Sequence, residues 1–186
     1  MNLSEGTELV RIARKSVEDA FKNINLQPQR HEDVEGVFVT IESYPSLELR
    51  GCIGFVSKTD LKQGVFEAAR EAAFHDFRFE PLQKRELDKV LFEVSVLSKR
   101  TKIENPDEIK VGVHGLIVEK DGRSGLLLPQ VAVEQGWDSK EFLKHAFLKA
   151  GIDLNEKSMI YSFKAEVFRE ETPNGKIIKV ELKKVN

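Results

Sequence analysis

Three short turn signals restrict this chain to a small set of folds. Tyr44-Pro45-Ser46, Asp121-Gly122 and Pro173-Asn174-Gly175 each lie between stretches of strand-forming residues. Asp-Gly and Asn-Gly pairs supply the left-handed backbone that tight hairpins need. A hairpin joins antiparallel neighbours, whereas parallel strands need a crossover of a dozen residues or more. The first turn has strands predicted at 36–41 and 47–56, the second at 111–119 and 125–128. The third lies between an alternating run, Tyr161, Phe163, Ala165 and Val167, and a returning strand carrying Ile178, Val180 and Leu182. In Val90–Leu97, Phe92, Val94 and Val96 alternate with Glu93 and Ser95, which predicts a half-buried strand.

Helices are predicted between these strands. In residues 7–22, Leu9, Ile12, Ala13, Val17, Ala20 and Phe21 recur at steps of three and four, with Thr7 as the N-cap. Arg11, Arg14, Lys15, Glu18 and Asp19 are then expected to face water. Asp60 stands three residues before Gln63 in capping-box spacing. The helix it opens carries Leu61, Val65, Ala68, Ala69, Ala72 and Ala73 on its inner side, and so many alanines predict close packing against another backbone. Pro129 starts a short helix through Glu134. Asp138 and Glu141 open a last helix, Ser139–Ala150, which buries Phe142, Leu143, Ala146 and Phe147 and is closed by Gly151. The pattern gives at least six strands and three substantial helices. Because hairpins dominate, the fold class is α+β, a mainly antiparallel sheet flanked by helices, rather than doubly wound α/β.

The chain has 186 residues, enough for one domain or one domain with a small lobe, and its 12 Phe and 40% hydrophobic content supply a core. With 29 basic and 31 acidic residues the net charge is -2, which counts against a nucleic-acid binder working through its overall field. There is one cysteine, Cys52, so neither an intrachain disulfide nor a cysteine-based zinc site can form. A polar N-terminus and the lack of a long apolar run predict a soluble cytoplasmic protein without membrane association.

The strongest candidate for a functional site is Leu49-Arg50-Gly51-Cys52-Ile53-Gly54. Two glycines weaken a strand and call for a reason: a bulge, or the close approach of a ligand or another backbone. Alternation places Arg50 and Cys52 on one face, where Arg50 would favour the thiolate. The competing reading makes Cys52 a small packed hydrophobe, as most free cysteines are. A second candidate is Phe74-His75-Asp76-Phe77-Arg78-Phe79-Glu80-Pro81. His75 and Asp76 could form a general base with its orienting carboxylate. Alternatively, Asp76 pairs with Arg78 or caps backbone N–H groups. His114, beside Gly115, and Gln130, in the first turn of a helix, complete the candidates. Phosphate-binding, dinucleotide-binding, nucleophile-elbow and zinc-protease motifs are missing. Gly51-x-x-Gly54 has the spacing of the KH nucleotide clamp but lacks its flanking helices. His31, His75, His114 and His145 are not closely paired and give no strong metal signal, with a meeting of His75, Asp76 and His114 in space the minor option, and no cofactor is predicted.

Taken in order, Leu49-Arg50-Gly51-Cys52-Ile53-Gly54, Asp76-x-Arg78-Phe79-x-Pro81, Glu93-Val94-Ser95-Val96-Leu97, His114-Gly115-Leu116, Leu128-Pro129-Gln130-Val131-Ala132 and Lys149-Ala150-Gly151 resemble the AMMECR-one domain family. The match runs over almost the whole chain, and the first segment is the family's hallmark. Phe77 departs from the family's usual proline. His145-Ala146-Phe147 stands where many members carry a cysteine before Lys-Ala-Gly. The resemblance implies a two-lobed α+β fold: a larger lobe built from both chain ends and a smaller one, with the hallmark segment near a shared cleft. It brings no established reaction. Prokaryotic members commonly occur beside, or fused to, Memo-like and radical-SAM proteins, which implies such partners by association.

Three functions follow as expectations. The first is a ligand-binding or protein-interaction module in which Arg50, Gly51, Gly54, Arg78 and Gln130 line the site for a partner protein or a small anionic or carbonyl ligand. The second is an enzyme with Cys52 as nucleophile or redox centre, His75 or His114 as acid or base, and Asp76 orienting. The third, a nucleic-acid-associated regulator, is disfavoured by the charge balance.

Overall fold

The computed structural model describes residues 1–181. The chain divides into two compact units, Met1–Leu97 with Glu166–Val180, and Ser98–Ala165. Helices and antiparallel sheets make it α+β, in line with the sequence.

The first unit opens with α1 (Leu3–Ala20). Its N-cap is Asn2 rather than Thr7: Asn2 accepts from the Glu5 backbone N–H, and the Glu5 side chain accepts from that of Asn2. This reciprocal box starts the helix more than a turn before its apolar stripe begins. Thr7, inside the helix, donates its hydroxyl to the Leu3 carbonyl. Next come β1 (Asp33–Val34), β2 (Val37–Ser43), β3 (Leu49–Phe55), β4 (Thr59–Asp60), α2 (Leu61–Phe74) and β5 (Val90–Leu97). The second unit holds β6 (Thr101–Lys102), β7 (Gly115–Lys120), β8 (Arg123–Leu127), α3 (Pro129–Gln135), α4 (Ser139–Ala150) and β9 (Met159–Phe163). The chain closes the first sheet with β10 (Ala165–Glu170) and β11 (Ile177–Val180). Leu182, read as part of the last strand, lies outside the described residues.

The sheet of the first unit runs β11-β10-β5-β2-β3, and that of the second β6-β9-β7-β8. The three turns behave as expected. Tyr44–Pro45 is a cis peptide, and Asp121, Gly122 and Asn174 all have positive φ. Three expectations for the strands change. Every residue of β5 is buried, Glu93 and Ser95 included, so it is not half-exposed. The run 161–167 is not one strand, because it breaks at Lys164 and its halves join different sheets. The strand expected at 111–119 starts only at Gly115, since Gly112 turns the chain with φ 75°.

The core of the first unit lies between α1, α2 and one sheet face, with Leu9, Val17, Val37, Val39, Val65, Phe92, Val94 and Phe168 buried. Each such side chain contributes about 1.5–3 kcal/mol on leaving water. Arg14 and Asp19, expected in solvent, are buried too. Arg14 places its guanidinium on fully buried Glu170 through two 2.6 Å hydrogen bonds and donates to the carbonyls of Leu87 and Val90. Glu170 also accepts from the Phe92 N–H. The second core packs Phe142, Ala146 and Ala150 of α4 against Leu116, Val118 and Leu127. A methyl group on Gly125 would overlap the α4 backbone at Ala146 and Ala150, so helix and strand touch directly there.

Candidate functional site

The hallmark segment is β3, the edge strand of the five-stranded sheet. Its two glycines have separate structural reasons. A methyl group on Gly51 would overlap the carbonyl oxygen of Ala72, so α2 lies directly on the strand there. This is the close backbone approach that the alanines of α2 predict, and no ligand is needed to explain it. A methyl on Gly54 would overlap the Phe38 ring, which lies across the β2–β3 pair. Arg50 falls at a register shift opposite Ile41 and Glu42, a bulge.

Contact at Gly51 also fixes where α2 ends. The helix is capped at His75, and the next residues run beside the outer edge of β3. There Asp76 accepts a hydrogen bond from the Cys52 N–H at 2.9 Å, and Arg78 donates to the Cys52 carbonyl at 3.0 Å. The two side chains are joined by bonds of 2.9 and 2.7 Å, and the Arg78 backbone N–H donates to Asp76 at 3.2 Å. The Arg78 guanidinium, helped by the Cys52 N–H, holds the Asp76 carboxyl down to about 2. The carboxylate is therefore charged at neutral pH and fully engaged. It makes the local structural contacts that the sequence offered as its alternative role.

The Cys52 thiol lies on the sheet face away from α2, accepting a 3.4 Å hydrogen bond from the Thr40 hydroxyl. Thr40 pairs in register with Cys52 on one side and Glu93 on the other. Burial pushes the thiol up from its ordinary value; Thr40 and the Arg78 charge oppose this, while Glu93 and Asp76 add to it. Arg50, expected to favour the thiolate, is instead bound to Glu86 at 2.9 and 3.2 Å. His75 turns outward: its side chain is 64% exposed and its Nδ1 lies 3.1 Å from Glu71. The structure thus brings Cys52, Asp76 and Arg78 together and directs Arg50 and His75 to other carboxylates.

His114 and Gln130 belong to the second unit. His114 sits in the turn before β7, where its Nδ1 accepts from the Lys110 N–H at 3.3 Å. Burial, with Lys110 and Lys164 nearby, lowers its pKa. Gln130 lies in the first turn of α3 with its carbonyl oxygen buried and unpartnered. Among the described residues, no group of three His, Cys, Asp or Glu side chains converges as a metal site would. No helix among them is long and apolar enough to cross a membrane.

Sequence reasoning missed Thr40, Glu86 and Glu93, whose roles depend on strand register and on the loop leading into β5. The sequence marked Phe77 only as a departure from the family's usual proline. Although it stands between the two anchored residues Asp76 and Arg78, the residue is 94% exposed.

The model of the AMMECR1 family matches residues 10–168. The chain belongs to the AMMECR1 family. Protein MK0488 of Methanopyrus kandleri is 45% identical, covering 95% of this chain and 94% of its own length. Protein MJ0810 of Methanocaldococcus jannaschii is 42% identical over 98% of both. The crystal structure of protein PH0010 from Pyrococcus horikoshii superposes with a TM-score of 0.89 at 41% identity, covering 98% of this chain and 99% of that one. These matches span both units, so the AMMECR1 fold accounts for the whole described chain.

Proposed function

We propose that this AMMECR1 chain is a protein-interaction module whose docking anchor is Phe77, carried beside the edge of β3. The observation that supports this reading is a fully exposed phenylalanine on a loop that is held in place. Asp76 and Arg78, on either side of it, are tied to the Cys52 backbone. An aromatic ring displayed on an anchored loop loses little conformational freedom on binding, and such rings commonly dominate interface energetics. The occupants this reading favours are the Memo-like and radical-SAM proteins associated with prokaryotic members of the family.

The residues around Phe77 weigh against the other readings. A small anion would need a free guanidinium, yet Arg50 and Arg78 are each bound to a carboxylate. A cysteine nucleophile would need a lowered thiol pKa and a neighbouring base, yet burial raises the Cys52 pKa and His75 faces Glu71.

The test is calorimetric titration of the purified chain with the Memo-like and radical-SAM proteins of the same genome. At least one should bind. Phe77→Ser should raise Kd about thirtyfold, as loss of a roughly 2 kcal/mol anchor does. Its stability should stay within about 0.5 kcal/mol of wild type, because the ring touches little in the free protein. If neither protein binds, or Phe77→Ser binds as tightly as wild type, the proposal fails.

A further inference from the structure

We infer that residues 75–80 form a strap that closes a self-complementary sheet edge against a second copy of this chain. An edge strand presents a row of backbone donors and acceptors on which another strand can pair. β3 has little else to deter pairing, since Leu-Arg-Gly-Cys-Ile-Gly-Phe carries a single charge. The N–H and C=O of Cys52 point away from β2, because Asp76 and Arg78 bind them there. By the alternation of an antiparallel ladder, Gly54 turns its N–H and C=O to the same side. The bulge at Arg50 interrupts the regular edge just upstream. Cys52 and Gly54 are therefore its regular pairing positions.

Two such edges fit one another. A two-fold axis at Ile53 sets Cys52 opposite Gly54 of the second copy, and Gly54 opposite Cys52 of the second copy. Each is a hydrogen-bonded pair, so four N–H···O bonds form. The strap makes the same contacts with side chains. Asp76 supplies the acceptor and Arg78 the donor that a neighbouring strand would bring to Cys52, and the Asp76 side chain is only 1% exposed. This contact needs no partner protein and is independent of any docking at Phe77.

The experiment uses the full chain alone, as wild type, Asp76→Ala/Arg78→Ala and Arg78→Ala. Sedimentation equilibrium across protein concentration should give a 21.2 kDa monomer for wild type and twice that mass for the double variant. Hydrogen exchange at the Gly54 amide should slow in the double variant as its concentration rises. A folded double variant that stays monomeric overturns the inference. Association that leaves Gly54 exchanging at its wild-type rate, or a wild-type dimer paired through β3, does so equally. Should the double variant fail to fold, Arg78→Ala decides by the same readouts, because its side chain is 44% exposed and its loss frees the Cys52 carbonyl.

Discussion

Arg14→Met is expected to lower stability by about 4 kcal/mol, the scale of breaking a buried ion pair from one side. On heating this corresponds to a fall in midpoint of roughly 10 °C for a chain of this size. The methionine matches the arginine stem in reach and replaces none of its donors. Among the described residues, Glu170, with no exposed surface, would be left with the Phe92 N–H and the more distant Arg11 guanidinium at 3.6 Å. The carbonyls of Leu87 and Val90 would each lose a donor as well. Arg14→Met/Glu170→Met should recover a large part of the loss, since an apolar pair leaves no buried charge behind. What the double variant fails to recover reports the carbonyls of Leu87 and Val90 and the Phe92 N–H, each left without its side-chain partner. Urea unfolding of the three variants measures all of this. A cost below about 1 kcal/mol for Arg14→Met would mean that the pair does not join α1 to the sheet as described.

The second large effect is expected at Gly51. Gly51→Val should cost about 3 kcal/mol, the upper part of the range for overpacking. The added side chain would meet backbone, the Ala72 carbonyl, which cannot swing aside as a side-chain tip can. Relief requires α2 to move off β3, and Asp76 lies two residues beyond the end of that helix. The variant should therefore also loosen the hydrogen bond from the Cys52 N–H to Asp76. Amide exchange at Cys52 should accelerate more than at Val94, which lies in the central strand. A well-folded Gly51→Val with wild-type exchange at Cys52 would separate the helix contact from the clamp.

Much of this architecture was legible in the residues. The turns at Pro45, Gly122 and Gly175 announced the hairpins because only a few residue types accept their backbone. Asp60, Asp138 and Gly151 marked helix ends for the same local reason. What escaped depends on contacts distant in sequence. Nothing near Arg14 reveals that Glu170, 156 residues later, waits beneath the helix. Glu93 and Ser95 look like the wet face of a strand, and alternation alone does not reveal that both are buried. Lys164 gives no local warning that the chain changes sheets. At the site, the sequence located the hallmark strand and allowed that Asp76 binds Arg78 and backbone N–H groups. It could not say that the N–H was that of Cys52, nor that Gly51 is filled by helix backbone rather than left open for a ligand.

The central claim is that the hallmark strand is a framework held by α2 and the 75–80 loop, with Cys52 a packed and protonated thiol rather than an activated nucleophile. Its most direct test is the rate of alkylation of the folded protein by iodoacetamide as a function of pH. Cys52 is the chain's one cysteine, so the signal has a single source. The account predicts slow reaction at neutral pH and a rate profile displaced to higher pH than that of a cysteine reference peptide, because burial disfavours the thiolate. Rapid alkylation at neutral pH, with an inflection below that of the reference peptide, would contradict it.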